Sequence, residues 1–72
     1  MNAADLENLE IGQNYRVVTA DGEELTARVV ALDIRDKLFV YDIVESNKAH
    51  TCEVGHILRF ADVTLVQHLK ND

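Results

Sequence analysis

His50, Cys52 and His56 are the residues whose types and spacing come nearest to a metal site, since imidazole nitrogen and thiolate sulfur are the ligands zinc prefers. On an extended strand His50 and Cys52, two apart, share a face. A closed zinc site takes four ligands, and the neighbourhood offers no fourth Cys or His, only Glu53 at an awkward position. No metal is therefore expected: Cys52 reads as a small buried hydrophobe and the histidines as surface groups. Asp33 and Asp36 flank one turn and could form an acid–base pair, but carboxylates so placed are more often hydrogen-bonded turn formers. The chain has no Gly-rich phosphate loop, nucleophile elbow or metal-binding helix motif. Neither catalysis nor a cofactor is expected. Arg35, Lys37 and Arg59 are the cationic candidates; they either converge on one face as a phosphate-binding cluster or are scattered surface charges.

The overall charge bears on that choice. Thirteen acidic side chains against seven basic ones give a net charge of −6, which opposes the basic footprint on which nucleic-acid binding rests. A single cysteine leaves no intramolecular disulfide and suits a reducing compartment. No apolar run approaches the roughly 20 residues of a membrane span, and no basic-then-apolar leader is seen, so a cytoplasmic location is expected. One domain, 1–72, is expected. A chain of this length buries only about 60% of the surface its unfolded form exposes. Oligomerisation is the expected stabiliser.

The elements that must position these residues are mainly strands. Asn14 to Ala20 alternates as a strand, and Asp21-Gly22 then signals a tight primed hairpin turn into a longer second strand. A turn near Arg35-Asp36 leads to a third strand, KLFVYDIV, rich in β-branched and aromatic residues. Both of its faces are apolar: Leu38, Val40 and Val44 on one, Phe39, Tyr41 and Ile43 on the other. One face fills the core and the other requires a partner. In the second strand Val29 and Ala31 interleave with Val30 and Leu32, as in a strand that bends sharply.

Residues 3–11 read as a short helix with Asn2 as N-cap, Asp5 three positions later, Leu6 and Leu9 on one face, and Gly12 as a stop. Asp5, Glu7 and Glu10 form its solvated face. Ala49 to Val54 reads as a fourth strand and Val63 to Gln67 as a fifth. Residues 55–62 admit two parses: Ile57-Leu58-Arg59 completes the fourth strand before a short helical turn at Ala61-Asp62, or Gly55-His56-Ile57 is that turn and Leu58-Arg59-Phe60 opens the fifth strand.

The order of these residues resembles the first motif of the Sm and Sm-like (LSm) proteins. With Gly22 as anchor, Ala27, Val29, Leu32-Asp33 and Leu38-Phe39-Val40 fall at the family's small, aliphatic, apolar-Asp and aliphatic-triplet offsets. The resemblance implies an all-β, five-stranded, strongly bent small barrel, residues 14–67, with a short N-terminal helix. It also implies a non-enzymatic assembly module, a homo-oligomeric ring of about five to seven subunits with a role near RNA. Its expected RNA-binding residues are Asp33, Arg35, Asp36, Lys37 and Arg59; its expected subunit interface is Phe39, Tyr41, Ile43, Val63 and Leu65. Two departures bear on base recognition. Lys37 stands where RNA-binding members carry a base-reading Asn, and Phe60 replaces the Gly of the apolar-Arg-Gly triplet begun by Leu58-Arg59.

A second, looser resemblance is to the Rof family of Sm-like inhibitors of the transcription terminator Rho, through Leu9-Glu10-Ile11, Asp21-Gly22-Glu23, and Ile57 with Phe60. It implies an acidic regulator of transcription that binds a basic protein surface through Glu7, Glu10, Asp21, Glu23 and Glu24.

Overall fold

Period-two alternation gives each long strand an inward apolar face, in β3 one of two, and those faces assemble into a single core. The computed structural model describes residues 6–69. Its strands are β1 (Asn14–Thr19), β2 (Glu24–Asp33), β3 (Leu38–Ser46), β4 (His56–Arg59) and β5 (Val63–Leu69), with a 3-10 turn, Phe60–Asp62, between the last two. All pairings are antiparallel and the order is β4-β3-β2-β1-β5. The sheet is open: β4 and β5 are its two edges and do not pair with each other. An all-β fold is thus observed, as a five-stranded antiparallel sheet rather than a ring of strands closed on itself.

The core is built from alternate positions: Tyr15 and Val17 on β1, Leu25, Ala27 and Val29 on β2, Phe39, Tyr41 and Ile43 on β3, then Phe60 and Val63, with Leu6 and Leu9 laid over them. The pairing register of β2 with β3 slips between Thr26 and Ala27 and again between Val29 and Ala31. The second slip is where the sequence turns two-sided, because an extra residue rotates the following side chains by one position.

Several expectations change here. Phe39, Tyr41, Ile43 and Val63, expected at a subunit interface, are between 1% and 7% exposed and belong to the chain's own core. Of that set only Leu65, on the edge strand β5, is exposed. The open face of β3 is instead the one carrying Leu38, Val40 and Val44. Alternation identifies two apolar faces but carries no information about which one turns inward.

The expected helix 3–11 begins outside the described residues. Within them only Leu6 and Glu7 are helical, Asn8 is a turn, and Leu9-Glu10 is irregular. The segment is then held by Gly12 N–H donating to the Val29 carbonyl at 2.7 Å, Val29 N–H to the Gln13 carbonyl at 3.1 Å, and Glu10 N–H to the Tyr15 hydroxyl at 2.8 Å.

The β1–β2 connection is longer than a two-residue primed turn, which requires positive φ at its first central residue (type II′) or at both (type I′). Positive φ is confined to Gly22, at 91°, and Gly22 N–H closes onto the Thr19 carbonyl at 3.0 Å. Residues 49–54, expected as a strand, form an irregular loop, and β4 starts only at His56. β3 is met there at single points, its backbone by Ile43 N–H donating to the Glu53 carbonyl at 2.6 Å and its Asp42 side chain by Gly55 N–H donating to Oδ1 at 3.1 Å, and no ladder forms. Of the two parses of residues 55–62 the first describes the chain: Arg59 ends β4 and a 3-10 turn follows.

Candidate binding surfaces

The connection from β2 to β3 occupies one end of the sheet. Asp33 Oδ1 accepts the Asp36 N–H at 2.9 Å, so Asp33 shapes the turn through its side chain. The turn closes through Lys37, whose φ of 55° is the left-handed conformation that glycine and asparagine adopt more readily. Arg59 lies opposite Leu38 in the β3–β4 register, and Phe60 N–H donates to the Lys37 carbonyl at 2.9 Å. The end of β4 is thereby fixed against the turn, and Arg35, Lys37 and Arg59, from separate parts of the sequence, share one end of the molecule.

All three are exposed. The other described cations are engaged: Arg16 with Glu24 at 2.7 Å, Arg28 with Asp42 at 3.3 Å, and Lys48 with Asp21 at 2.9 Å. Among the described residues, the Lys and Arg side chains without an ion pair are thus Arg35, Lys37 and Arg59. Asp33 and Asp36 lie among them, so all five residues expected to meet RNA occupy this end. Beside them is a groove of about 580 Å³ lined by Ala31, Leu32, Ile34, Leu38 and Val40 together with Asp33 and Arg35.

At the β1–β2 hairpin a second group of polar side chains converges. Glu23 is 8% exposed, and its Oε2 accepts the Ser46 hydroxyl at 2.5 Å and meets His50 Nε2 at 2.6 Å. Burial alone pushes this carboxyl up; hydrogen bonds from Ser46 and His50, with the charges of His50 and Lys48, outweigh it and hold Glu23 below its usual range. Asp21 is held well below the carboxylate range by the Thr19 hydroxyl, then by Lys48 and the Glu23 N–H. Lys48 is raised in turn by its hydrogen bond to Asp21. Burial raises Tyr41, and the negative charges of Glu23 and Asp21 add to the effect. The His50 ring packs edge-on against His56, with centroids 5.2 Å apart, and His56 packs on Tyr41 at 5.6 Å.

This network ties the loop after β3 to the hairpin before β2. It was not visible in the sequence, where Glu23 reads as one more exposed acid and its partners lie 23 and 27 positions away. It also changes three expectations. Glu23 is consumed internally and presents no carboxylate to a partner. His50 is half-buried and bonded rather than a free surface group, and Cys52 is exposed rather than buried. Of the other acids expected to meet a basic partner, Asp21 and Glu24 are exposed but ion-paired within the chain, while Glu7 and Glu10 are exposed with no ion pair among the described residues. Among the described residues no group of three or more His, Cys, Asp or Glu could hold a metal ion, and no helix is long and apolar enough to cross a membrane.

No protein-family model, curated protein or solved structure matches the chain. The class defined by the fold is that of a small all-β protein with an open antiparallel sheet, with three unpaired cations at the β2–β3 turn and the end of β4 and a carboxylate network at the β1–β2 hairpin.

Proposed function

We propose that this chain is a non-enzymatic binding and assembly module whose sheet is the strongly bent barrel of Sm-like proteins. In this reading, copies of it form a homo-oligomeric ring of about five to seven subunits that binds single-stranded RNA. The observation that carries the RNA reading is the convergence of Arg35, Lys37 and Arg59, the described cations left without ion pairs, at one end of the sheet. Repeating that cluster around a ring would bring the unpaired cations of neighbouring copies together, against a net charge of −6 on each chain. Assembly is supported by the two unpaired strand edges, β4 with Ile57 63% exposed and β5 with Leu65 39% exposed. Free edges are templates for pairing with another chain, and head-to-tail pairing closes into a ring when the rotation permits.

Native mass by light scattering, measured over protein concentration and salt, tests the assembly; a discrete oligomer is expected, and a stable monomer of 8.1 kDa overturns the ring. Titration of labelled single-stranded RNA into the same sample tests the ligand.

A second reading, an acidic Rof-type regulator that binds a basic protein surface, is favoured by one observation: Glu7 and Glu10 are exposed carboxylates without an ion pair among the described residues. Salt-sensitive binding to a basic protein by a monomer that ignores RNA would establish it in place of the first.

A further inference from the structure

The strand registers order the outer face of the sheet, the one turned away from the core. Residues opposite each other on a ladder share a face, as do residues two apart on one strand. Ala31, Val40 and Ile57 therefore form one row across β2, β3 and β4, and Asp33, Leu38 and Arg59 form the next row on the same face. The row on the inner face is Leu32, Phe39 and Leu58, which lie in the core or pack against it. On the outer face Leu38 and Val40 make a half-buried apolar strip, flanked by exposed Ala31 on one side and exposed Ile57 on the other. The second row holds a carboxylate and a guanidinium apart. Leu38 stands between Asp33 and Arg59, which are two strand spacings or roughly 10 Å from each other, too far for an ion pair within one chain.

Charge narrows what fits this face. Residues 31–41 and 56–62 carry Arg35, Lys37 and Arg59 against Asp33, Asp36 and Asp62, so the net charge of −6 falls on the rest of the chain. A second copy, acidic as a whole, meets no net repulsion here. A two-fold axis along β3, between two such faces, sets Leu38 on Leu38 and Val40 on Val40. The same rotation exchanges the flanks, so that Asp33 of each copy faces Arg59 of the other, and bulky Ile57 of each faces small Ala31 of the other. Asp33 gives Oδ1 to the Asp36 N–H, and its second oxygen can meet a guanidinium.

We propose that two copies of this chain pack face to face through the outer rows of β2, β3 and β4, in an isologous interface with strands nearly aligned and sheets about 10 Å apart. The inference goes beyond the ring reading: strand edges build a ring, whereas this face joins one copy, or one ring, to another. RNA and the second copy then compete for Arg59.

Native mass of the full chain by light scattering over a range of protein concentrations tests the interface, with the fold of each variant checked by circular dichroism. The wild type is expected at twice the mass of the unit its edges build. Arg59→Asp sets carboxylate against carboxylate across the axis, Asp33→Arg sets guanidinium against guanidinium, and each alone is expected to halve the mass. An equimolar mixture of the two restores it, because every pair across the axis is then of opposite charge. Should Asp33→Arg not fold, having lost the acceptor of the Asp36 N–H, Leu38→Asp and Leu38→Lys give the same pattern on the axis itself: each halves the mass and their mixture recovers it. Folded variants with the mass of the wild type overturn the interface, as does a mixture that recovers nothing. A ring of about five to seven subunits that no variant changes overturns this inference and leaves the ring reading standing. A dimer that the variants split into monomers supports it and removes the ring. A wild type that is monomeric throughout overturns both.

Discussion

Glu23 shows how one side chain fixes a loop. Its carboxylate is nearly buried and doubly hydrogen-bonded, so neutral removal of its charge leaves Ser46 and His50 imperfectly paired in a partly buried site. Glu23→Gln is expected to destabilise the fold by about 1–3 kcal/mol at pH 7, read from urea denaturation midpoints. The pH dependence follows from the direction of the shift. A carboxyl held below its ordinary value of 4.5 contributes stability that is present above that value and lost as pH falls through the lower folded value. Asp21 acts in the same direction. Wild-type midpoints therefore fall on the acid side of pH 4.5 more steeply than those of Glu23→Gln; equal pH profiles would mean that the network does not couple to folding. Lys37 presents the opposite situation, a residue in a conformation its side chain disfavours. Lys37→Gly is expected to raise stability by about 1 kcal/mol and, on the proposed function, to weaken RNA binding, so stability and affinity should move apart.

At the scale of elements, β4 is the strand whose free edge matters most. It is four residues long, pairs only with β3, and carries Ile57, which is 63% exposed and in register with Val40. A lysine on a free edge opposes pairing with another chain and costs the exposed position little in the monomer. If the proposed ring forms, Ile57→Lys is expected to convert it to monomer by light scattering with an unchanged circular dichroism spectrum. An unchanged mass would show that the β4 edge does not join subunits. The loop between Ser46 and His56 explains why β4 is so short: its polar groups are satisfied at Glu24, Asp42 and Ile43, points scattered along the hairpin and β3, which leaves no continuous row for a ladder.

At the scale of the whole molecule, stability rests on few buried side chains. Phe39, 1% exposed, packs its ring against Tyr41 at 5.4 Å and Phe60 at 6.5 Å. Phe39→Ala removes about 3–5 kcal/mol, against a total of about 5–15 kcal/mol for a typical domain and less for one this small. The variant is expected to be unfolded or barely folded as a monomer, seen as loss of a cooperative thermal transition.

The sequence by itself determined what depends on neighbouring residues. The alternation of Tyr15 and Val17, or of Leu25, Ala27 and Val29, follows from the pleat; the register shift in β2 is marked by the two-sided run from Val29 to Leu32; and Asp33 stands where a turn-forming carboxylate is expected. Only the tertiary structure decided which apolar face of β3 lies inside, because Leu38–Val40–Val44 and Phe39–Tyr41–Ile43 are equally apolar and the choice depends on what packs against them. The same holds for Glu23, whose exposure is set by Ser46 and His50 far along the chain, and for Arg59, which joins Arg35 and Lys37 only through β4 pairing with β3. A residue's type fixes the chemistry it can do, but where that chemistry is gathered depends on pairings between distant segments, and no local pattern encodes them.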